Sequence, residues 1–291
     1  MSSKSMPTDQ SECYLNGAFQ PLAQCQVSVL DRGFIFGDGV YEVIPVYGRR
    51  VFRADDHLAR LARSLDAVGI KNPSQAHDWL ALVRELIARN APDDQCIYIQ
   101  VTRGVAKRDH AFPQGVEPTV FMMSFPFPHV PEQKRAQGVA CITAPDLRWR
   151  NAHIKSISLL GNVLARQLSV ESDATETVLI RDGQLTEASA SNVWLVRNGR
   201  LAAPLRDHDK LEGIRVELLQ ELCGEIGVKL EFRPIFEWEL RCADEMMLTS
   251  ATKEVLSVTR LDGKAVGQGK PGPVATALYS AYQEAKKSQS H

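Results

Sequence analysis

Four short turn signals do most to limit what this chain can fold into: Asn16-Gly17, Asp182-Gly183, Asn198-Gly199 and Asp262-Gly263, each lying between segments that read as strands. Such pairs suit two-residue turns with positive φ, which join neighbouring antiparallel strands. A doubly wound parallel sheet, whose strands need long crossovers, is therefore disfavoured. Elsewhere the apolar period is helical. Leu58, Leu61, Leu65 and Val68 mark one helix face that Gly69 ends, and Leu80, Val83 and Ile87 mark another over residues 75–89. Strands are expected in CIYIQVT, TVFMMSF, VACITA, LEFRPI and EMMLTS, and a helix over residues 157–168 with Leu160, Val163, Leu164 and Leu168 inward. The expected fold class is α/β, mixed with α+β, in two domains.

Three prolines in PFPHVPE, residues 126–132, oppose helix and sheet alike and mark the expected boundary. The expected organisation is a disordered polar tail at residues 1–10, a small N-terminal α/β domain at 11–126, a linker at 127–133 and a larger C-terminal α/β domain at 134–291. With 34 basic and 35 acidic residues the net charge is -1, and nothing electrostatic recruits nucleic acid or an anionic membrane. No run of about 18 apolar residues is present to span a bilayer, and MSSKSMPTDQ lacks the apolar stretch of a signal peptide. The six cysteines stand apart, without the spacing of a zinc or redox motif, so reduced thiols in a cytoplasmic protein are expected and no metal site is.

Simple consensus patterns give no function. There is no phosphate-loop consensus, no HExxH and no GxSxG, and the glycines of FGDGVYE precede no helical pattern. Lysines are mostly solvated surface groups, and spacing alone does not single out Lys155 among twelve.

Five separated motifs, taken in order, nevertheless resemble the class IV family of pyridoxal-phosphate-dependent aminotransferases, and the resemblance runs from about Cys13 to Tyr282. They are DRGFIFGDGVYEV at residues 31–43, HLARL at 57–61, IKSISLLGNVLARQ at 154–167, LTEASASNVW at 185–194, and LEGI at 211–214 joined with LTSATKEV at 248–255. The resemblance implies the two-domain fold of that family with pyridoxal 5'-phosphate held between the domains. It implies that Lys155 forms the Schiff base and shuttles the substrate proton, and that Glu187 faces the pyridine nitrogen and keeps it protonated. Arg60, the amides of Gly213 and Ile214 at a helix start, and Ser250, Ala251 and Thr252 would hold the phosphate, with Leu211 against the ring. Ala251 and Arg215 depart from the residues usual in D-amino-acid transaminases, departures that backbone contacts survive, and Ser158 replaces an asparagine common in relatives.

Within the family, VTRGVAKRDHAFP at residues 101–113 is similar to D-amino-acid transaminases, in which an arginine and a histidine two positions apart hold the substrate carboxylate. Here these are Arg108 and His110, with Tyr41 completing the trap. The implied reaction moves the amino group of a D-amino acid such as D-alanine to a 2-oxo acid such as 2-oxoglutarate. The resemblance also implies a homodimer, with Arg108 and His110 contributed across the interface. A 4-amino-4-deoxychorismate lyase is the alternative, but its helix after the lysine carries an arginine and a glutamate where this chain has Leu159 and Gly161. Branched-chain and R-selective amine transaminases are further alternatives, the former disfavoured by Leu160 standing at a tyrosine position. A non-catalytic cofactor-binding protein is disfavoured by the presence of both Lys155 and Glu187.

Overall fold

The computed structural model describes residues 11–74 and 76–289, so the tail expected at residues 1–10 lies outside the described residues. The chain divides into two compact units, the first formed by residues 11–128 with 154–159, the second by residues 129–153 with 160–288.

In the first unit the order is β1 (Glu12–Leu15), β2 (Ala18–Pro21), α1 (Arg32–Phe36), β3 (Gly39–Tyr47), β4 (Arg50–Val51), α2 (Ala54–Ala67), α3 (Ala76–Arg89), β5 (Gln95–Thr102) and β6 (Thr119–Pro126). The strands form a six-stranded sheet in the order β2-β1-β6-β5-β3-β4, with antiparallel pairing throughout. Asn16 and Gly17 take positive φ in the β1–β2 turn, a conformation that asparagine tolerates and glycine, lacking a Cβ, adopts freely. Leu58, Leu61 and Leu65 on α2 and Trp79, Val83, Leu86 and Ile87 on α3 pack on the sheet against Ile44, Ile97, Ile99 and Met122. This core fixes which residues of β3 and α2 face each other, and those residues build the site.

The second unit continues with α4 (Glu132–Gln137), β7 (Val139–Pro145), α5 (Leu160–Glu171), β8 (Glu176–Arg181), β9 (Gln184–Ala188), β10 (Asn192–Arg197), β11 (Arg200–Ala203), α6 (Ile214–Glu225), β12 (Leu230–Phe232), α7 (Glu237–Leu240), β13 (Glu245–Ser250), β14 (Glu254–Leu261), β15 (Lys264–Ala265) and α8 (Pro273–Gln289). Its nine-stranded sheet runs β12-β11-β10-β13-β14-β7-β8-β9, with β15 paired to β14. The turns at Asp182-Gly183, Asn198-Gly199 and Asp262-Gly263 all have positive φ and connect antiparallel strands. The sheet is mixed, however, because β11–β12, β14–β7 and β7–β8 pair in parallel. Hairpin signals report only tight turns, whereas β7–β8 and β11–β12 pair across the helices α5 and α6, and β14–β7 joins strands distant in sequence.

Three expectations differ from the structure. The helix expected over 157–168 is α5, and Leu160, Val163, Leu164 and Leu168 are exposed, Leu160 at 71%. A helical stripe announces an apolar face without saying what covers it. The expected linker at 127–133 already contains the start of α4, and the units divide between residues 128 and 129.

Lys155, expected in the C-terminal domain, lies in a six-residue strap, Ile154–Leu159, that belongs to the first unit. The reason is backbone pairing. Tyr41 N donates to Lys155 O at 2.9 Å, Ile157 N donates to Gly39 O at 3.0 Å, and Val40 and Ser156 form an antiparallel bridge. β4 pairs only with Val46 and Tyr47, so the edge of β3 at Gly39–Tyr41 has no neighbour among the named strands on that side, and the strap takes that place. At Gly39 a Cβ would lie 2.6 Å from Val101 O and 3.0 Å from Ile157 Cδ1, so the strap and β5 leave no room for a side chain.

Candidate active site

In the first unit, β3 places Tyr41 and Glu42 on opposite faces, as strand alternation requires. On one side Tyr41 stacks on Tyr98, ring centroids 5.7 Å apart, and the Lys155 amine lies 4.0 Å from the Tyr41 ring centroid, a cation–π distance. Burial, and then Tyr41, push the Tyr98 hydroxyl up to about 12. On the other side Glu42 is fully buried and meets α2. Arg60 Nε donates to Glu42 Oε2 at 2.9 Å and an Arg60 terminal nitrogen donates to Oε1 at 2.7 Å, while His57 Nδ1 lies 3.0 Å from Oε1. Burial alone would raise the Glu42 carboxyl, but Arg60 and His57 outweigh it and hold it far below the usual carboxylate range. One turn after Arg60, Ser64 Oγ accepts from Lys155 N at 3.4 Å. The structure thus gathers Tyr41, Arg60 and Lys155 around the start of β3.

Arg108 and His110 are held elsewhere in the same unit. Both are exposed and stand against Phe36, the Arg108 guanidinium 5.4 Å from its ring centroid and the His110 ring also at 5.4 Å. Their loop is tied by Arg32, which is only 3% exposed. Arg32 donates to Asp109 O at 2.6 Å, Ala111 O at 3.3 Å and His110 O at 3.4 Å, and its Nε donates to Asp38 Oδ2 at 2.7 Å. Arg103 also donates to both Asp38 oxygens and lies over the Phe112 ring at 3.6 Å.

In the second unit, Glu187 is the last residue but one of β9, with one carboxylate oxygen accepting from Arg148 and the other from Leu211 N at 3.2 Å. Burial raises the Glu187 carboxyl, and Arg148 and the Leu211 amide pull against that rise. Leu211 O accepts from Asn192 Nδ2 at 2.8 Å, and Asn192 lies opposite Thr249 in the β10–β13 register. Gly213 is the N-cap of α6, whose first helical residue is Ile214. A Cβ at Gly213 would fall 2.1 Å from Asn192 Oδ1, so only glycine allows this approach. Ser250 ends β13, and Ala251 and Thr252 form the turn into β14, where Ser250 Oγ accepts from Lys253 N at 3.1 Å. Thus Glu187, Leu211, the Gly213–Ile214 helix start and the Ser250–Thr252 turn cluster at one end of the sheet.

These donor sets suit a phosphorylated pyridine aldehyde. A helix start and a serine-threonine turn favour a phosphate dianion. A buried carboxylate suits a ring nitrogen, and a primary amine suits the aldehyde carbon. Sequence reasoning missed Glu42 and Arg148. Glu42 carried a signal, an acid in an otherwise apolar strand next to Tyr41, whereas nothing in DLRWR distinguishes Arg148.

The class IV amino-transferase family model matches residues 39–261. The D-alanine aminotransferase of Bacillus licheniformis is 40% identical over 269 residues, covering 92% of this chain and 94% of that one. That of Staphylococcus aureus strain MW2 is 34% identical over 278 residues, covering 95% and 98%. Among solved structures, the branched-chain aminotransferase of the archaeon Thermoproteus uzoniensis with norvaline matches with a TM-score of 0.85 at 24% identity, covering 94% of this chain and 93% of that one. The Escherichia coli branched-chain enzyme matches with a TM-score of 0.89 at 22% identity, covering 94% of each. From the motifs through the two sheets to these matches, the chain belongs to the class IV aminotransferase family.

Proposed function

We infer that this chain is a pyridoxal-phosphate-dependent D-amino-acid transaminase. The observation that carries this is its 40% identity, over almost its whole length, to a D-alanine aminotransferase. Pyridoxal 5'-phosphate supplies an aldehyde that takes up the amino group and a ring that accepts the electrons released at the substrate α-carbon. The residues of this chain do the rest. Lys155 would bind the cofactor covalently as a Schiff base and move the proton at the α-carbon. Glu187 would hold the proton on the pyridine nitrogen. Arg60, the Gly213 and Ile214 amides and the Ser250–Thr252 turn would hold the phosphate, with Leu211 against the ring.

Arg108, His110 and Tyr41 would bind the α-carboxylate and so decide which enantiomer turns its α-hydrogen toward Lys155. Because Arg108 and His110 are exposed and held at Phe36, while Tyr41 is held at Tyr98 and Lys155, we assign Arg108 and His110 to the site of a second copy in a homodimer. The exposed apolar face of α5 supports an assembly of this kind. We place the enzyme in the cytoplasm. Six free cysteines fit a reducing compartment, and no helix among the described residues is long and apolar enough to cross a membrane.

Titrating the purified holoenzyme in parallel with D-alanine, L-leucine and aminodeoxychorismate tests the reading. Loss of the cofactor's visible absorbance with D-alanine, and not with the other two, is expected. Loss with L-leucine alone, or pyruvate release from aminodeoxychorismate, would overturn it.

A further inference from the structure

Glu187 does not stand alone. Arg148, whose side chain is only 5% exposed, spans two acids. Its Nε donates to Asp146 Oδ1 at 2.9 Å and one terminal nitrogen to Asp146 Oδ2 at 2.8 Å, while the other terminal nitrogen donates to Glu187 Oε1. Asp146 is further fixed by Thr186 Oγ1 at 2.8 Å and by Arg181 at 3.1 Å, and Arg181 reaches Asp209 at 2.5 Å. Arg181 also donates to Arg148 O at 2.8 Å. Asp209 lies two residues before Leu211, whose amide binds the other Glu187 oxygen, and exposed Arg150 reaches Asp209 at 3.9 Å. The charges alternate from Glu187 through Arg148, Asp146 and Arg181 to Asp209, so each buried charge touches one of opposite sign.

A planar guanidinium pinned on one edge by a bidentate carboxylate has its plane fixed, and with it the directions of its three remaining N–H donors. Here the terminal nitrogen not used by Asp146 meets Glu187, while the other also donates to Asp209 O at 3.4 Å. We propose that Arg148 is a positioning residue that keeps Glu187 ionised and fixed in orientation, so that a carboxylate and not a carboxylic acid meets the pyridine nitrogen. The proposal rests on the assignment of Glu187 to that nitrogen.

The physical need is specific. A carboxyl 5% exposed is disfavoured as an anion, and burial indeed raises Glu187. If it took up a proton it could only share that proton with the ring nitrogen, and a ring without its own proton is a weaker electron acceptor. Among the groups facing Glu187, Asp146 also pushes its carboxyl up, while Arg148 and the Leu211 amide pull it down. Arg148 is the positive charge among them.

The test reads the Glu187 carboxyl directly, by infrared difference spectra of the full-length chain with and without pyridoxal phosphate. The Glu187→Gln variant identifies the band. In Arg148→Leu the midpoint for Glu187 protonation should rise by about one pH unit or more, a tenfold change in the ratio of acid to carboxylate. Arg148→Lys should give a smaller rise, because one ammonium cannot serve Asp146 and Glu187 together. An unmoved midpoint in Arg148→Leu overturns the proposal. If that variant does not fold, the lysine variant decides alone by the same criterion.

In the loaded enzyme, the Arg148 variants should lower kcat for D-alanine about tenfold or more, with little change in KM. Glu187→Gln is measured beside them. If it leaves the rate intact, the assignment of Glu187 fails, whichever way the midpoint of the Arg148 variants moves.

Discussion

Glu42→Gln keeps the shape of a fully buried side chain and removes the charge to which Arg60, itself only 7% exposed, donates twice. Breaking a buried ion pair by neutralising one member costs about 3–5 kcal/mol, because the surviving charge is stranded in a medium that solvates it poorly. With a urea slope of about 2 kcal/mol/M, the unfolding midpoint of the first unit should fall by about 1.5–2.5 M. The pH dependence gives a second check. Glu42 is held below its unfolded value, near about 4.3, so its contribution is complete above that pH and is lost as the pH falls toward the folded value. The gap between wild type and variant should therefore be full at neutral pH and close in acid. Urea titrations of the cofactor-free protein, followed by circular dichroism at several pH values, measure both effects. A midpoint change under about 0.5 M at neutral pH, or a gap that does not narrow in acid, would refute the reasoning that Glu42 and Arg60 act as one buried pair.

Three further outcomes are expected. Arg32→Met should lower hydrogen-exchange protection across residues 105–112 and raise KM for D-alanine about tenfold, with a smaller effect on kcat, because three carbonyls of that loop lose their donor; unchanged protection would show that the loop is held by other means. Lys155→Ala should retain bound cofactor more weakly and lose multiple turnover, and normal steady-state rates would remove Lys155 from the mechanism. Refolding Lys155→Ala chains together with Arg108→Ala chains should restore about a quarter of wild-type activity, since about half the dimers are mixed and each carries one complete site of two; confirmed mixed dimers with no recovered activity would place Arg108 in its own subunit's site.

How much the sequence disclosed depended on how local each feature was. The turns at Asn16-Gly17, Asp182-Gly183, Asn198-Gly199 and Asp262-Gly263 were legible because φ preference resides in the residue itself. The buried face of α2 followed from its period, since Leu58, Leu61 and Leu65 do pack in the core. The same reasoning failed for α5, whose stripe is as regular but faces outward in the single chain. The parallel pairings β14–β7 and β7–β8 are not announced by any tight-turn signal. In the site, motif resemblance reached the residues proposed to touch the cofactor. It did not reach Arg148 or Asp146, because an ion network is specified by contacts among residues scattered from 146 to 209 and not by any spacing along the chain.

The strap at residues 154–159 gives the first unit a discontinuous sequence. A fragment ending at residue 128 would contain α1–α3 and β1–β6 but neither Lys155 nor the pairing that covers Gly39–Tyr41, so that stretch of β3 would present open amides and carbonyls. During synthesis the same condition holds for as long as the next few dozen residues take to emerge. The partner for β3 arrives more than a hundred positions later, and closing so long a loop is slow compared with forming the helices. The lysine on which the chemistry depends therefore reaches its place only after most of its surroundings have folded, and an N-terminal piece cut before it has no such residue to offer.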